Sequence, residues 1–530
     1  LYLPENFEQE KTYPLVVMLH GAMSNHRLAL RRVFGKTNLP GESDAEASRY
    51  FPDWEDRKYI VVAPYARGTM GYVGIPEEDV LEVIKKTRQD FNIDRNRIYL
   101  TGLSMGGGGT LFIGLSRPDL FAAIAPVCPA PPPGTFDLLE NALNLPVSVH
   151  QGGSDPVVRP EGTRQIVDEL RNIGTLVEYN EYPEVQHDSW ADAYADGKIF
   201  DWFDKIERDP FPDRVRFATK WYKYRSAYWF RIDKLTPGTR SRVDAEFTGP
   251  NQLKVDAENL DAFTLDLKGH EKFKHDEILE VVINGEEVSS LPKYEHSFSR
   301  EDGEWGSNRY HAPVMAKKQG LEGPLDEVLN GRHVFVYGTL GIEDEKEYQR
   351  RKDEAFEAAD FSVTFGGDYH QESTINPRVI PDQEVSSFDR QHSNMILIGD
   401  HTTNSIIAEL KDELPVHLKD TTGNYGLVYI YPHNGNYMVV NSGIPFWDSR
   451  FVNDQKDDNQ TTTTFGGKKG ARALQGMKDF ELYKDSNSNV TIEGYFEHDW
   501  SLPEEAREKM EETGVVVDSV GDQKDKEMMK

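Results

Sequence analysis

A serine between glycines is the first feature of this sequence that could carry chemistry. The segment Gly102-Leu103-Ser104-Met105-Gly106 has the form GxSxG, follows an apolar run and precedes a stretch of small residues. In a strand–turn–helix context, this pattern puts the serine on a sharp turn that only small neighbours permit. The pattern alone is a weak signal, but its context favours a nucleophilic role for Ser104.

A serine hydroxyl is a poor nucleophile by itself, so this role requires a base and an acid that orients the base. In the fold that carries such a turn, the acid and then the base follow the serine along the chain. Asp155 follows the apolar run at 146–150, and His187 follows the next run, at 176–182. Because functional groups gather at the carboxyl ends of parallel strands, we predict that Ser104, Asp155 and His187 act together.

Two other residues compete for these roles. Asp188 is the alternative acid, but its position next to His187 in the chain directs its side chain elsewhere. His150 is the alternative base, and we place it at a strand end beneath the predicted site. We therefore keep Asp155 and His187 as the predicted pair.

The loop after the first apolar run could stabilise a developing oxyanion. His20-Gly21-Ala22 follows that run, and the backbone N–H groups of Ala22 and Met105 are the predicted donors. Loss of one such donor costs roughly 3 kcal/mol of the reaction barrier, so two donors matter greatly. We interpret His20 as a structural histidine that ties loops together.

These loops need a sheet that brings them to one edge. Short apolar runs without alternation separate amphipathic stretches up to about residue 208, which is typical of strands covered on both faces of a mostly parallel sheet. The runs lie at 14–20, 59–64, 97–101, 122–127, 146–150 and 176–182, with the clearest helical stretches at 77–89 and 160–173.

The rest of the chain has a different character. After Asp209-Pro210-Phe211-Pro212, alternating runs predict a small β-sandwich-like domain, and from His333 onward strand-like and helical runs predict a second α/β domain. The predicted divisions are 1–208 for the catalytic domain, 209–325 for the β-rich domain, 326–502 for the second α/β domain, of unknown role, and 503–530 for a charged tail.

Net charge, apolar runs and cysteine count restrict the classes of partner and cofactor that this chain is expected to bind. The net charge of −30 repels nucleic acid and anionic membranes, so neither is expected as a partner. The chain has no apolar run of about 18 residues, so no membrane-spanning helix is expected. The single cysteine, Cys128, excludes an internal disulfide and a multi-cysteine metal site, and its apolar setting predicts a buried small residue. We expect no cofactor and no metal.

Some features of the C-terminal half could suggest other binding functions. The glycine turn at 336–341 is not GxGxxG and has no phosphate-loop lysine, which disfavours nucleotide binding. The polar loops Asp454 to Asn459 and Asp485 to Asn489 lack the glycine and closing glutamate of calcium loops, which favours solvated loops. An aromatic-rich segment at 221–229 is consistent with either a carbohydrate-stacking face or a β-domain core.

The N-terminal motifs resemble the secreted esterase branch of the α/β-hydrolases, which includes polyhydroxybutyrate depolymerase-like and feruloyl esterase-like enzymes beside the prolyl-oligopeptidase-like hydrolases. The resemblance rests on Leu19-His20-Gly21, on residues 74–83, on residues 93–99 before the serine, and on residues 102–107. It covers roughly residues 1–207 and implies the α/β-hydrolase fold, a triad of Ser104, Asp155 and His187, and an oxyanion hole lined by Ala22 and Met105.

This resemblance implies a serine carboxylic-ester hydrolase that works through an acyl-enzyme. Its substrate would be an acyl or feruloyl ester of polysaccharide, or a polyester. Gly21, Tyr72 and Trp190 are the candidate substrate contacts. The aromatic residues Tyr65, Tyr72 and Trp190 are consistent either with an acyl or aryl platform or with ordinary packing. The alternative is a prolyl-oligopeptidase-like serine peptidase, which usually carries a propeller before the hydrolase. The resemblance also implies a secreted or periplasmic protein, although residues 1–4 do not look like a signal peptide and resemble a strand end from a longer precursor. The sequence does not define the oligomeric state.

Overall fold

The apolar runs of the first 208 residues form one six-stranded parallel sheet in the computed structural model, which describes residues 1–363, 377–419, 423–447, 474 and 476–518. Its strand order is β2-β1-β3-β4-β5-β6. Every residue of β1 is buried, as expected for a strand with both faces covered. The strands are β1 (Tyr13–Leu19), β2 (Ile60–Val62), β3 (Ile93–Leu103), β4 (Ala123–Val127), β5 (Val147–Gly152) and β6 (Val177–Tyr182).

Helices connect these strands, and both helical predictions are confirmed. The clearest is α5, which begins at Pro160 and ends before Gly174, whose φ of +93° closes the helix in the left-handed region that glycine favours. The helices are α1 (His26–Val33), α2 (Asp44–Ala47), α3 (Ile75–Asp90), α4 (Met105–Ser116), α5 (Pro160–Ile173), α6 (Trp190–Ala193) and α7 (Lys198–Phe203), with 3-10 turns at Thr135–Asn144 and Ala195–Gly197.

Two five-stranded sheets follow, as the β-rich pattern predicts. Their orders are β14-β13-β11-β10-β7 and β16-β15-β12-β9-β8, and all pairs are antiparallel except β11 with β13. The strands are β7 (Arg214–Thr219), β8 (Ser226–Ala227), β9 (Phe230–Leu235), β10 (Ser241–Gly249), β11 (Gln252–Glu258), β12 (Leu260–Asp266), β13 (Leu279–Ile283), β14 (Glu286–Ser290), β15 (Glu295–Glu301) and β16 (Glu304–Gly306), with a 3-10 turn at Tyr222–Tyr224.

The β-rich sheets share one hydrophobic core with the parallel sheet. Tyr222, Tyr224 and Trp229 are buried in this core, which explains the aromatic-rich segment without a stacking surface. By its contacts, the chain divides into two compact units, Leu1–His311 and Ala312–Lys530. The first unit therefore contains both the predicted catalytic domain and the β-rich strands.

The second unit contains a mixed seven-stranded sheet in the order β18-β17-β19-β22-β21-β23-β24 and a two-stranded sheet of β20 and β25. In the larger sheet, the neighbouring strands from β18 through β17 and β19 to β22 pair in parallel. The neighbouring strands from β22 through β21 and β23 to β24 pair antiparallel. The strands are β17 (His333–Tyr337), β18 (Arg378–Pro381), β19 (Asn394–Ile398), β20 (Val416–Leu418), β21 (Tyr425–His433), β22 (Asn436–Gly443), β23 (Phe480–Lys484), β24 (Val490–Gly494) and β25 (Val516–Asp518); the helices are α8 (Glu345–Val363), α9 (Ser387–His392), α10 (Ser405–Glu409) and α11 (Glu504–Thr513), with 3-10 turns at Leu325–Leu329 and Asp382–Glu384.

One of the two polar loops compared with calcium loops lies within the described residues. Asp485 to Asn489 forms the turn between β23 and β24, where the buried Asn487 side chain donates to the Phe446 carbonyl over 2.6 Å. Asp454 to Asn459 lies outside the described residues. Across the described part of the chain, no helix is both long and apolar enough to cross a bilayer.

Candidate active site

The turn at Ser104 has the geometry that the GxSxG pattern predicts. Ser104 joins β3 to α4 with φ +56° and ψ −117°, in a region that residues with a side chain rarely adopt. A Cβ on Gly102 would lie 2.4 Å from the Gly106 carbonyl oxygen, and one on Gly106 would lie 2.4 Å from the Leu19 oxygen. The glycines are therefore required by close packing of the turn against the first strand.

Three side chains from three loops form a continuous hydrogen-bonded chain. The Ser104 Oγ lies 2.9 Å from Nε2 of His187, and the His187 Nδ1 lies 2.8 Å from Oδ2 of Asp155. A carboxylate only accepts, so Nδ1 carries the proton and Nε2 is free to accept the serine proton. The loops after β3, β5 and β6 bring these residues together at the carboxyl edge of the sheet.

The loop after β5 holds the Asp155 carboxylate in place. Its Oδ1 accepts the backbone N–H groups of Val157 and Val158 at 2.8 and 2.9 Å, while Oδ2 faces His187. Burial alone would raise the pKa of Asp155, but the hydrogen bonds from His187 and from these N–H groups outweigh it and hold the pKa below its ordinary value. The carboxylate is thus kept ionised beside the imidazole.

The two competing residues lie elsewhere. Asp188 is exposed, and its neighbour His187 is bonded to Asp155 instead. His150 is buried at the end of β5, with its ring nitrogens 3.1 Å from the Ser148 hydroxyl and 3.0 Å from the Tyr182 hydroxyl. Burial lowers the pKa of His150 to about 4, so it stays neutral.

The predicted oxyanion donors lie on either side of the serine turn. Met105 is the first residue of α4, so its N–H is one of those that a helix start leaves without a helical carbonyl. The described residues supply no acceptor for the Ala22 N–H. Gly21 carries this loop close to the turn, since a Cβ there would lie 2.8 Å from the Leu103 side chain and 3.6 Å from the Ser104 Cβ.

His20 and Tyr72 support the loop at residues 20–22, which carries the predicted donor Ala22. His20 is buried, and its Nε2 donates to the Tyr65 carbonyl over 2.8 Å. The Tyr72 hydroxyl donates to the His20 carbonyl over 3.0 Å, and its ring is buried against α4 at Gly109. Tyr72, predicted as a substrate contact, is therefore a buried support for the loop, because its ring and hydroxyl are both occupied by protein.

Aromatic side chains lie beside the site. The Trp190 ring stands edge-on to the His187 imidazole, with ring centroids 5.5 Å apart. Tyr65 is 47% exposed and stacks on His20 at 6.1 Å. Trp190 therefore lies next to His187, and Tyr65 lies next to the loop at residues 20–22.

The structure adds a neighbour that the sequence did not assign to the site. Cys128 is buried, as predicted, and follows β4 directly. Its sulfur, an oxygen of Asp155 and a nitrogen of His187 all lie within 4.8 Å of one another, the one group of metal-ligating side chains of this kind among the described residues. The order of the strands could have indicated this proximity, because β4 lies between the strands that carry Ser104 and Asp155.

Comparisons with known proteins find similarity in the N-terminal region of the chain. Residues 1–162 match the family model described as a putative esterase. A poly(3-hydroxybutyrate) depolymerase of Ralstonia pickettii is 41% identical over 69 residues, a segment that makes up 13% of this chain and 13% of the relative.

Two solved structures cover similar parts of the chain. A thermostable esterase is 28% identical, with a TM-score of 0.32, and the match covers 39% of this chain and 58% of that one. A CE1 ferulic acid esterase from Anaeromyces mucronatus, in complex with ferulic acid, is 19% identical with a TM-score of 0.29, covering 37% and 80% respectively. The N-terminal region of this chain therefore has the sheet order of an α/β-hydrolase fold and resembles esterases over residues 1–162.

Proposed function

We propose that the chain hydrolyses carboxylic esters through an acyl-enzyme on Ser104. The observation that carries this proposal is the hydrogen-bonded chain from Ser104 through His187 to Asp155. In the first step, Oγ attacks the ester carbonyl while Nε2 of His187 takes the serine proton. The imidazolium then gives this proton to the leaving alcohol, and Asp155 stabilises the cation while it exists.

The second half of the reaction reuses the same groups. Water, deprotonated by His187, attacks the acyl carbon and releases the acid from Ser104. In both halves the carbonyl oxygen becomes negative, and we assign its stabilisation to the N–H groups of Ala22 and Met105. These groups are fixed before substrate arrives, so little reorganisation is needed as charge develops.

We further propose that the substrate is an acyl or feruloyl ester of a polysaccharide, or a polyester. The aromatic rings of Trp190 and Tyr65 beside the base and the oxyanion loop suit a flat aryl or apolar acyl group. The matched segment of a poly(3-hydroxybutyrate) depolymerase supports the polyester class. A polymer cannot cross a bilayer, so this class of substrate fits a secreted or periplasmic location.

Ester turnover by the full chain tests the proposal. We expect hydrolysis of p-nitrophenyl acetate, p-nitrophenyl butyrate and methyl ferulate, with kcat in Ser104→Ala reduced by at least about 10⁴-fold. Ser154→Ala is the matched control, since this exposed hydroxyl donates to the Pro183 carbonyl and should leave turnover unchanged.

A fluorophosphonate probe provides a second readout of the nucleophile. We expect one covalent adduct on Ser104 by mass spectrometry and no adduct in Ser104→Ala. Labelling with no ester turnover but with cleavage of peptide p-nitroanilides would replace the esterase by the peptidase. A folded chain that neither labels nor turns over any of these substrates would overturn both.

A further inference from the structure

Cys128 is held firmly beside the serine turn. Its N–H donates to the His150 carbonyl over 2.8 Å, and the preceding carbonyl, of Val127, accepts the Ser104 N–H over 2.9 Å. A φ of +36° at Cys128 marks the bend that follows β4. The backbone of Cys128 is thus held beside the serine turn, and its sulfur forms a group with Asp155 and His187 in which the ligand atoms lie within 4.8 Å of one another.

We propose that Cys128, Asp155 and His187 form a binding site for a thiophilic divalent cation such as Zn²⁺, and that occupation of this site switches off the proposed esterase. A thiolate, an imidazole nitrogen and a carboxylate oxygen are the three donor types that Zn²⁺ takes in proteins. Bond lengths of about 2.0 to 2.3 Å put tetrahedral ligand atoms about 3.5 Å apart. Atoms at the 4.8 Å limit must therefore approach by little more than about 1 Å, and the 2.8 Å hydrogen bond between His187 Nδ1 and Asp155 Oδ2 must open. Three protein ligands leave the fourth position to water.

Metal coordination by either ring nitrogen of His187 would inhibit the proposed esterase. Coordination through Nε2 occupies the lone pair that accepts the Ser104 proton. Coordination through Nδ1 moves the ring proton to Nε2, which then donates to Ser104 and cannot act as its base. The thiol proton is released to solvent, and no bond other than the metal–ligand bonds forms. This inhibitory effect rests on the proposed function, whereas the binding itself does not.

Metal binding requires Cys128 to lose its thiol proton, because the thiolate is the form that coordinates a metal. Cys128 and Asp155 are buried, while the His187 side chain is 22% exposed. A cation therefore enters past the imidazole, and we expect inhibition to develop slowly.

Cadmium binding to the catalytically inactive chain tests the site independently of turnover. The chain has one cysteine, so a Cd²⁺–thiolate charge-transfer band in the ultraviolet reports Cys128 alone. In Ser104→Ala we expect this band to saturate at one Cd²⁺ per chain. It should be absent from Ser104→Ala combined with Cys128→Ser, which differs by the sulfur atom only. A folded Ser104→Ala chain without the band would overturn the proposal.

Zinc titration of p-nitrophenyl acetate hydrolysis tests the functional consequence. In Cys128→Ser we expect the apparent inhibition constant for Zn²⁺ to rise by more than about tenfold, because even outer-shell partners contribute that much to metal affinity. Chelation by EDTA should restore turnover of the full chain. Equal inhibition of the full chain, Cys128→Ser and Cys128→Ala would assign it to surface carboxylates and overturn the switch. If no ester is hydrolysed at all, the proposed function fails and the cadmium measurement still decides the site.

Discussion

Replacement of Asp155 by asparagine tests the role of each atom in the site. The Val157 and Val158 N–H groups bind Oδ1, so the asparagine oxygen must occupy that position and its NH₂ must face His187. Flipping the amide would set its NH₂ against two N–H donors in a buried loop. The amide thus donates to Nδ1, and the ring proton moves to Nε2, where it points at Ser104.

The size of the effect follows from this change of tautomer. The imidazole in Asp155→Asn must first exchange its proton before it can act as a base, and the same change in a Ser-His-Asp triad lowers kcat by about 10⁴-fold. That factor corresponds to about 5 kcal/mol of barrier. The fold should be preserved, because the two N–H bonds to Oδ1 remain.

The assay is hydrolysis of p-nitrophenyl butyrate, with kcat and KM measured separately over a pH series. We expect the loss in kcat, with KM little changed, and Asp188→Asn as the matched control should retain turnover within about twofold, since surface substitutions are usually nearly neutral. Activity of Asp155→Asn within about tenfold of the original, or a large loss in Asp188→Asn, would refute the assignment of the acid.

Further predictions concern stability. Burial lowers the pKa of His150 to about 4 in the folded chain, against about 6.5 in an unfolded chain, so the unfolded state binds the proton first and the free energy of unfolding falls as the pH drops from 6.5 towards 4. In urea titrations at several pH values, His150→Gln should remove about 3 kcal/mol of this loss. An unchanged pH dependence of the free energy of unfolding would contradict this prediction. Gly106→Ala should abolish activity and lower the melting temperature, because its Cβ would meet the Leu19 and His20 carbonyls, whereas Gly162→Ala, in open space on α5, should raise the free energy of unfolding by about 0.4–1 kcal/mol. Glu77→Ala should cost about 3–5 kcal/mol in denaturant unfolding, since it leaves the guanidinium of Arg117 without its buried partner; a cost below about 1 kcal/mol would show that water replaces the carboxylate.

The sequence allowed much of the parallel sheet and the site to be predicted. Buried parallel strands appear as continuous apolar runs, and the chain order of Ser104, Asp155 and His187 follows the order of the strands that carry them. The roles of these residues remain predictions, but the structure brings their side chains into hydrogen-bonding distance.

Other features depend on packing that no local pattern records. Tyr72 looked like an available aromatic, yet its hydroxyl and ring are occupied by His20 and Gly109. Cys128 reaches the site only because β4 lies between β3 and β5, which is a property of strand order rather than of spacing. The shared core of the parallel sheet and the β-rich sheets likewise depends on contacts between segments distant in the chain.

The buried side chain of Asn141 connects α4, the helix that follows Ser104, to the β-rich sheets. Its amide nitrogen donates to Leu115 O of α4 at 2.9 Å and to Ala218 O of β7 at 3.0 Å, while its oxygen accepts the Ala218 N–H at 2.7 Å. The helix that starts directly after Ser104 is therefore anchored in part by a strand beyond residue 208. Recombination at the Pro-rich boundary would separate α4 from this anchor, so we expect the parallel-sheet region and its β-rich extension to be inherited as one piece.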